Sequence, residues 1–157
     1  MPPDGWPGPW PEEEMIYTLQ VECVFGAYLK EKCIRILEMD EDSSLYDLHN
    51  VIQEAVAFGQ DHPFEFYIAN SPFGWKKRWL TEAEDWEDKV ADFLRIHLKD
   101  IWPLGRKRLY YWFDFGDRWT FEIRKGRKVK VPETSVTYPR VVEAIGPNPE
   151  QHPQFDE

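Results

Sequence analysis

The sequence predicts an α+β domain with a mixed, mostly antiparallel sheet and one main helix packed on it. Residues 109–123 are typical of a β-hairpin, because aromatic and β-branched residues alternate with polar ones on both sides of a turn. We expect Gly116 to supply the positive φ of that turn. Apolar residues in 15–25 alternate in the same way, and those in 45–58 recur at helical spacing.

The chain is expected to open with two strands, at residues 15–25 and 33–37, joined through a turn at Gly26. Each predicted strand carries one cysteine, Cys23 or Cys33. A disulfide between neighbouring strands is geometrically feasible, but the Pro-rich, acidic N-terminus is unlike a secretory signal. We therefore expect two free, buried thiols.

The main helix is predicted at residues 45–58. Ser43 or Ser44 can act as its N-cap, and Gly59 is expected to end it. A third strand is predicted at 64–69. Two strands, a helix and a further strand are typical of the start of a ubiquitin-like β-grasp, and we expect a β-grasp-like opening here.

The second half of the chain is predicted to hold fewer regular elements. Residues 70–81 are expected to form a loop and residues 82–93 a second helix. A basic run after the hairpin is expected to end in a short strand at 129–131, and a last strand is predicted at 138–145. The main order is strand, strand, helix, strand, helix, strand, strand. Runs of strands with helices to one side favour an α+β class over an alternating parallel sheet.

Composition and length indicate one domain. The chain has 157 residues, 42% of them hydrophobic, which suffices for one core. We expect a Pro-rich tail at 1–14, a single domain at 15–146 and a polar tail at 147–157. No run approaches the roughly 20 apolar residues that a membrane-spanning helix needs. No membrane association is therefore expected, and the predicted location is the cytoplasm.

Six motifs in order resemble the plasmid pRiA4b ORF-3-like family over roughly residues 15–150. The resemblance implies a single α+β domain of unassigned biochemical role, found in some cases in plasmids or mobile elements. Two departures are evident: Phe121 stands where the family usually has His, and residues 146–150 are a reduced form of a Pro-Pro-Glu-Asp-x-Gly-Gly segment. The motifs are Tyr17-Thr18-Leu19, Leu48-His49-Asn50-Val51-Ile52-Gln53, Asp61-His62 followed by Phe66, Leu98-Lys99-Asp100-Ile101, Tyr111-Trp112-Phe113-Asp114-Phe115-Gly116-Asp117-Arg118-Trp119, and Tyr138-Pro139-Arg140-Val141-Val142-Glu143.

A polar cluster is the first candidate site. Histidine and aspartate can hold a divalent metal, and a histidine beside a carboxylate can act as a general base. The spacing matches no recognised metal motif. Each residue also has a structural interpretation, as a turn-forming or loop-bonding side chain. We therefore assign no catalytic residue, metal or cofactor, and keep a metal- or carboxylate-dependent hydrolase or nuclease as the alternative function. The candidates are His49, Asp61, His62, Asp114 and Asp117.

Two further sets are candidates for binding. A formal net charge of −10 argues against nonspecific nucleic-acid binding by the whole surface. A local basic strip beside aromatic residues could still bind single-stranded nucleic acid weakly, or could keep a sheet edge solvated. Loop aromatics could dock a protein partner, or could cover the sheet. The leading hypothesis is thus a non-catalytic binding module. The basic strip comprises Arg124, Lys125, Arg127, Lys128 and Lys130, and the loop aromatics are Phe73, Trp75 and Trp79.

Overall fold

A computed structural model describes residues 14–59 and 62–151. Most of the predicted N-terminal tail, and the last six residues, lie outside the described residues. Within them the chain forms one seven-stranded sheet, two α-helices and a 3₁₀ turn at Leu98–Asp100. The strands are β1 (Ile16–Phe25), β2 (Ile34–Asp40), β3 (Phe64–Ala69), β4 (Arg78–Trp79), β5 (Arg108–Phe113), β6 (Trp119–Lys130) and β7 (Arg140–Ile145), and the helices are α1 (Leu45–Val56) and α2 (Trp86–Arg95).

The sheet has the strand order β4-β3-β5-β6-β1-β2-β7, and every pairing in the described chain is antiparallel. The structure therefore has the strands and helices of an α+β domain, dominated by its sheet. The β-grasp-like opening is not confirmed. The strand that follows α1 pairs with β4 and β5, whereas β1 lies between β2 and β6.

The central hairpin is confirmed in position, and the structure gives its register. Leu109 pairs with Ile123, and Phe113 pairs with Trp119. The expectation for Gly116 is wrong, because the positive φ angles of this connection belong to Asp114 and Arg118, both at 57°. The connection is long enough to place its left-handed residues at its two ends. Aspartate tolerates that conformation better than most residues, so the glycine is not required.

The basic run after the hairpin is not a loop followed by a short strand, as the sequence suggested. It continues β6 without interruption to Lys130 and pairs with β1. The pairing shifts register between Tyr17 and Leu19, where β6 bulges around Gly126. The predicted loop at 70–81 likewise contains the two residues of β4.

Helix α1 begins as predicted but ends earlier. Ser44 accepts a hydrogen bond from the Asp47 N–H at 3.1 Å, and the Asp47 carboxylate accepts one from the Ser44 N–H at 2.9 Å. The pair forms a capping box. The left-handed residue at the C-terminal end is Ala57, with φ 58°, rather than Gly59. Helix α2 starts at Trp86, four residues later than the predicted start, and buries Phe93.

Both helices contribute to one core on a single face of the sheet. Apolar residues of α1, Phe93 of α2 and alternate residues of the strands form this core. Cys23 and Cys33 are free thiols buried in it. The opposite face, called the outer face below, presents the other alternate residues. The outer-face residues of β3, β5 and β6 include Glu65, Tyr67, Tyr110, Trp112, Thr120 and Glu122.

Candidate functional site

The two histidines of the polar cluster line one cleft beside the helices. This cleft, called the histidine cleft below, has a volume of about 440 Å³. Its walls come from α1, α2 and the start of β3, which meet there because both helices pack on the same sheet face. The lining residues are Tyr46, His49, His62, Pro63, Phe64, Trp86 and Val90.

His49 is buried and fixed by its neighbours. Its ring stacks on Phe64 with centroids 3.8 Å apart, and its Nδ1 is hydrogen-bonded to the Tyr111 hydroxyl. Gln53 Nε2 donates to the same hydroxyl at 2.9 Å, which leaves the hydroxyl proton to be donated to His49. Burial lowers the pKa of His49 to about 4. A neutral imidazole with such a low proton affinity is a weak general base at pH 7.

His62 and Asp114 approach each other at the edge of the histidine cleft. The distance from His62 Nε2 to Asp114 Oδ2 is 3.5 Å. Asp114 Oδ1 accepts a hydrogen bond from the Asp117 N–H at 3.4 Å. Asp117 is therefore linked through its backbone to the carboxylate that faces His62. The Phe113 ring lies within 6.3 Å of both imidazole centroids. Asp61 lies outside the described residues.

The polar cluster does not assemble a complete metal site from the residues that the structure describes. No group of three histidine, cysteine, aspartate or glutamate side chains there is placed to hold an ion. A zinc site normally needs at least three protein ligands. The cluster can therefore offer a histidine–carboxylate pair, but these side chains do not by themselves provide a metal centre.

The basic strip is largely engaged within the domain. Arg124 Nε lies 2.6 Å from Glu122, and Lys130 Nζ lies 2.5 Å from Glu38. Burial acts to raise the pKa of Glu38, but hydrogen bonds from Lys130 and Arg140 outweigh it, and the pKa falls below its ordinary value.

The remaining members of the strip differ in their engagement. Lys125 Nζ lies 4.6 Å from the centroid of the Tyr17 ring. Within the basic strip, only Arg127 and Lys128 have side chains without an ion-pair or hydrogen-bond partner among the described residues. The strip therefore offers far less free positive charge than its sequence suggests.

One of the loop aromatics, Trp79, belongs to an aromatic row on the outer face. Trp79 packs against Trp112 at 5.8 Å, and Trp112 packs against Phe115 at 4.1 Å between ring centroids. Phe73 is 58% exposed and Trp75 is 88% exposed. Sequence reasoning missed Trp112 and Phe115. The outward position of Trp112 in the alternation of β5 was the available signal, because a tryptophan facing away from the core needs another contact.

Two adjoining hollows run along this aromatic row, and together they are called the outer groove below. The larger has a volume of about 650 Å³ and the smaller about 250 Å³, and Lys77 and Trp112 line both. The larger hollow falls in the size range of small-molecule sites. It is lined by Glu65, Lys77, Arg78, Trp79, Thr81, Glu82, Ala83, Lys89, Trp112 and Phe115, and the smaller by Tyr67, Pro72, Phe73, Lys77, Trp112, Arg118 and Thr120.

The outer groove carries unneutralised positive charge. Lys77 Nζ lies 4.9 Å from the Tyr67 ring centroid and 5.8 Å from that of Trp79. No carboxylate of residues 14–59 and 62–151 lies within salt-bridge distance of Lys77, Arg78 or Arg118. Three free cations beside exposed aromatic rings distinguish this surface within a chain of net charge −10.

Comparison with known proteins identifies the family. A family model described as plasmid pRiA4b ORF-3-like protein matches residues 16–152. The chain belongs to the plasmid pRiA4b ORF-3-like family. An uncharacterised protein of Sinorhizobium fredii, y4hQ, is 31% identical over 100 residues, which cover 63% of this chain and 47% of the relative. The chain thus matches about half the length of that relative.

A solved structure supports the fold of this pRiA4b ORF-3-like chain. The crystal structure of MM3350, a protein of unknown function from Methanosarcina mazei Go1, matches with a TM-score of 0.65 and 23% identity. The match covers 84% of this chain and 70% of that one. At this identity the likeness concerns the fold alone.

The two departures from the family pattern have structural roles in this pRiA4b ORF-3-like chain. Phe121 is buried in the core, with its ring 5.8 Å from that of Tyr111. Asn148, in the reduced segment, accepts a hydrogen bond from Arg35 at 2.6 Å. Arg35 also donates to the Ala55 carbonyl at 3.1 Å, so it links this segment to the end of α1. Both positions therefore make contacts within the domain.

Proposed function

We propose that this chain is a non-catalytic binding domain whose outer groove takes single-stranded nucleic acid. The observation that carries the proposal is the partly exposed aromatic row formed by Trp79, Trp112 and Phe115, which lies beside Lys77, Arg78 and Arg118 in one groove. Aromatic rings that stack bases, next to cations that meet phosphates, are the two components of single-strand binding.

Stacking supplies the larger part of the expected affinity. Trp79 and Phe115 are each 39% exposed, so each ring presents surface to a ligand while remaining packed on Trp112. A base stacked on an aromatic side chain contributes about 1–3 kcal/mol, and every base has a face that can stack. Rings already held by their neighbours lose little conformational freedom on binding.

The three free cations indicate that the outer groove binds only a short length of nucleic acid. The acidic remainder of the chain repels phosphates outside the groove, which is consistent with a strand of a few nucleotides rather than an extended one. If Lys77, Arg78 and Arg118 each neutralise one phosphate, the logarithm of the association constant should fall with the logarithm of salt concentration with a slope of about −2.

Fluorescence anisotropy with a labelled single-stranded oligonucleotide tests the proposal. We expect salt-sensitive binding that weakens about tenfold in Trp79→Ala, because one stacking platform is lost. Trp75→Ala is the matched control, since Trp75 is more exposed but lines neither hollow. A double variant of Arg127 and Lys128 should bind like the wild type. No binding at low salt, or equal losses in Trp75→Ala and Trp79→Ala, would overturn the proposal.

The hydrolase alternative has a narrower basis, the His62–Asp114 pair and the shared position of His49 and His62 in the histidine cleft. The low proton affinity of His49 weakens it, and so does the lack of a third metal ligand among the described side chains. Metal analysis of the purified protein tests this alternative.

No described helix has the length and apolar character needed to cross a membrane. The cytoplasmic location, the domain limits at 15 and 146 and a role in plasmid or mobile-element biology stay predictions.

A further inference from the structure

One acidic side chain in the outer groove is not explained by phosphate binding. Glu65 lies on the outer face of β3, directly across from Trp112 in the β3–β5 register, and lines the larger hollow. It is only 8% exposed. A carboxylate in a groove that attracts anions weakens that attraction, so its position calls for a separate reason.

The carboxylate of Glu65 is only half satisfied. Lys89 Nζ donates to Glu65 Oε2 at 2.6 Å, whereas Oε1 is buried without a hydrogen-bond partner among the described residues. A buried carboxylate oxygen without a donor is costly, and such atoms call for an explanation. Burial raises the pKa of Glu65, while the hydrogen bond from Lys89 acts in the opposite direction. Glu65 therefore has an acceptor oxygen without a donor, at the side of the larger hollow and beside the aromatic row on which bases are proposed to stack.

We infer that Glu65 selects bases with an exocyclic amino group: when a base stacks on the aromatic row, the Glu65 side chain turns its unpaired oxygen into the hollow and accepts a hydrogen bond from that group. This inference rests on the proposed binding of single-stranded nucleic acid. Carboxylates accept from the amino group at C4 of cytosine. Uracil has a carbonyl oxygen at that position, which would face the carboxylate with no proton between them. A site that provides such an acceptor rejects an analogue lacking the donor, because its buried group is then left unpaired.

Oligo(dC) and oligo(dU) of equal length provide the test, because cytosine has an amino group at C4 where uracil has an oxygen, and the bases otherwise differ only in the proton that uracil carries on N3. We expect the wild type to bind oligo(dC) more tightly by about tenfold, as for a hydrogen bond to a charged acceptor. Glu65→Gln should abolish this preference, because its amide can donate to the uracil oxygen. Glu82→Gln removes the other carboxylate of the same hollow and should retain the preference. Circular dichroism and thermal melting establish that each variant is folded.

The outcomes separate the inference from the function on which it rests. Equal wild-type binding of oligo(dC) and oligo(dU) would overturn the role of Glu65 and leave single-strand binding intact. Failure to bind either strand would overturn both. Free dCMP binding as tightly as oligo(dC) would overturn the assignment of the groove to a strand. Because the wild-type preference is itself decisive, the inference stays testable even if Glu65→Gln does not fold.

Discussion

Protonation of His49 should destabilise the domain at mildly acidic pH. The imidazole is 3% exposed and stacked on Phe64, and burial lowers its pKa from 6.5 to about 4. The unfolded chain therefore binds a proton on this residue at a higher pH than the folded chain does. Stability rises with pH wherever the unfolded state binds more protons. The contribution of His49 is thus fully favourable above pH 6.5 and is lost as the pH falls toward 4.

The size of the effect follows from the two pKa values. Between pH 7.5 and pH 5, a pKa of 6.5 in the unfolded chain and about 4 in the folded chain lowers the free energy of unfolding by about 2 kcal/mol. Below pH 4 the loss reaches about 3 kcal/mol. These are large fractions of the 5–15 kcal/mol roughly typical of a folded domain.

Urea denaturation of the wild type and His49→Gln at several pH values isolates this term from other titrating groups. The wild type should lose about 2 kcal/mol more than the variant between pH 7.5 and pH 5. Tyr111→Phe is the matched control: it removes the hydroxyl bonded to His49 but keeps the imidazole buried, so it should retain the pH-dependent loss at a lower overall stability. Equal pH dependence in the wild type and His49→Gln would refute the reasoning.

Two further predictions concern stability and are measured by thermal or urea unfolding. Gly26→Ala should cost about 3 kcal/mol, because the added Cβ would lie 2.1 Å from a ring atom of the fully buried Trp119. Gly126→Ala, whose Cβ meets nothing closer than 3.5 Å, should cost far less, and similar losses at both positions would contradict this account of close packing. Ser44→Ala should cost about 1 kcal/mol through loss of the helix cap. Ser43→Ala should leave the free energy of unfolding nearly unchanged. A larger loss in Ser43→Ala than in Ser44→Ala would show that Ser43, and not Ser44, caps the helix.

Local patterns in the sequence predicted the strands well where side chains alternate strictly between core and solvent. The hairpin register of Leu109 with Ile123 follows from that alternation, because a slip of one residue would expose the aromatic face. The turn was not predictable in the same way. The positive φ angles of the turn depend on where the hydrogen bonding between β5 and β6 ends, and they belong to Asp114 and Arg118 rather than to Gly116.

Long-range pairing explains what the sequence could not predict about the sites. Lys130 appeared free because its partner, Glu38, lies on β2, which only the strand order brings close to β6. The pairing of Arg124 with Glu122 is local, since the two side chains are two residues apart on β6 and share one face. The outer groove was missed for the same reason as the pairing of Lys130. Glu65 and Trp112 are far apart in sequence and become neighbours only through the β3–β5 register. The structure brings two of the candidate residues together in the histidine cleft, because His49 lies in α1 and His62 shortly precedes β3, and these two elements pack together.

The measurement closest to the central claim is a nuclear magnetic resonance titration of the tryptophan indole N–H signals with oligo(dC). Our account predicts shifts at Trp79 and Trp112, in the outer groove, and unchanged signals from Trp75. Shifts confined to Trp86, in the histidine cleft, would place the ligand on the other side of the sheet and contradict the account.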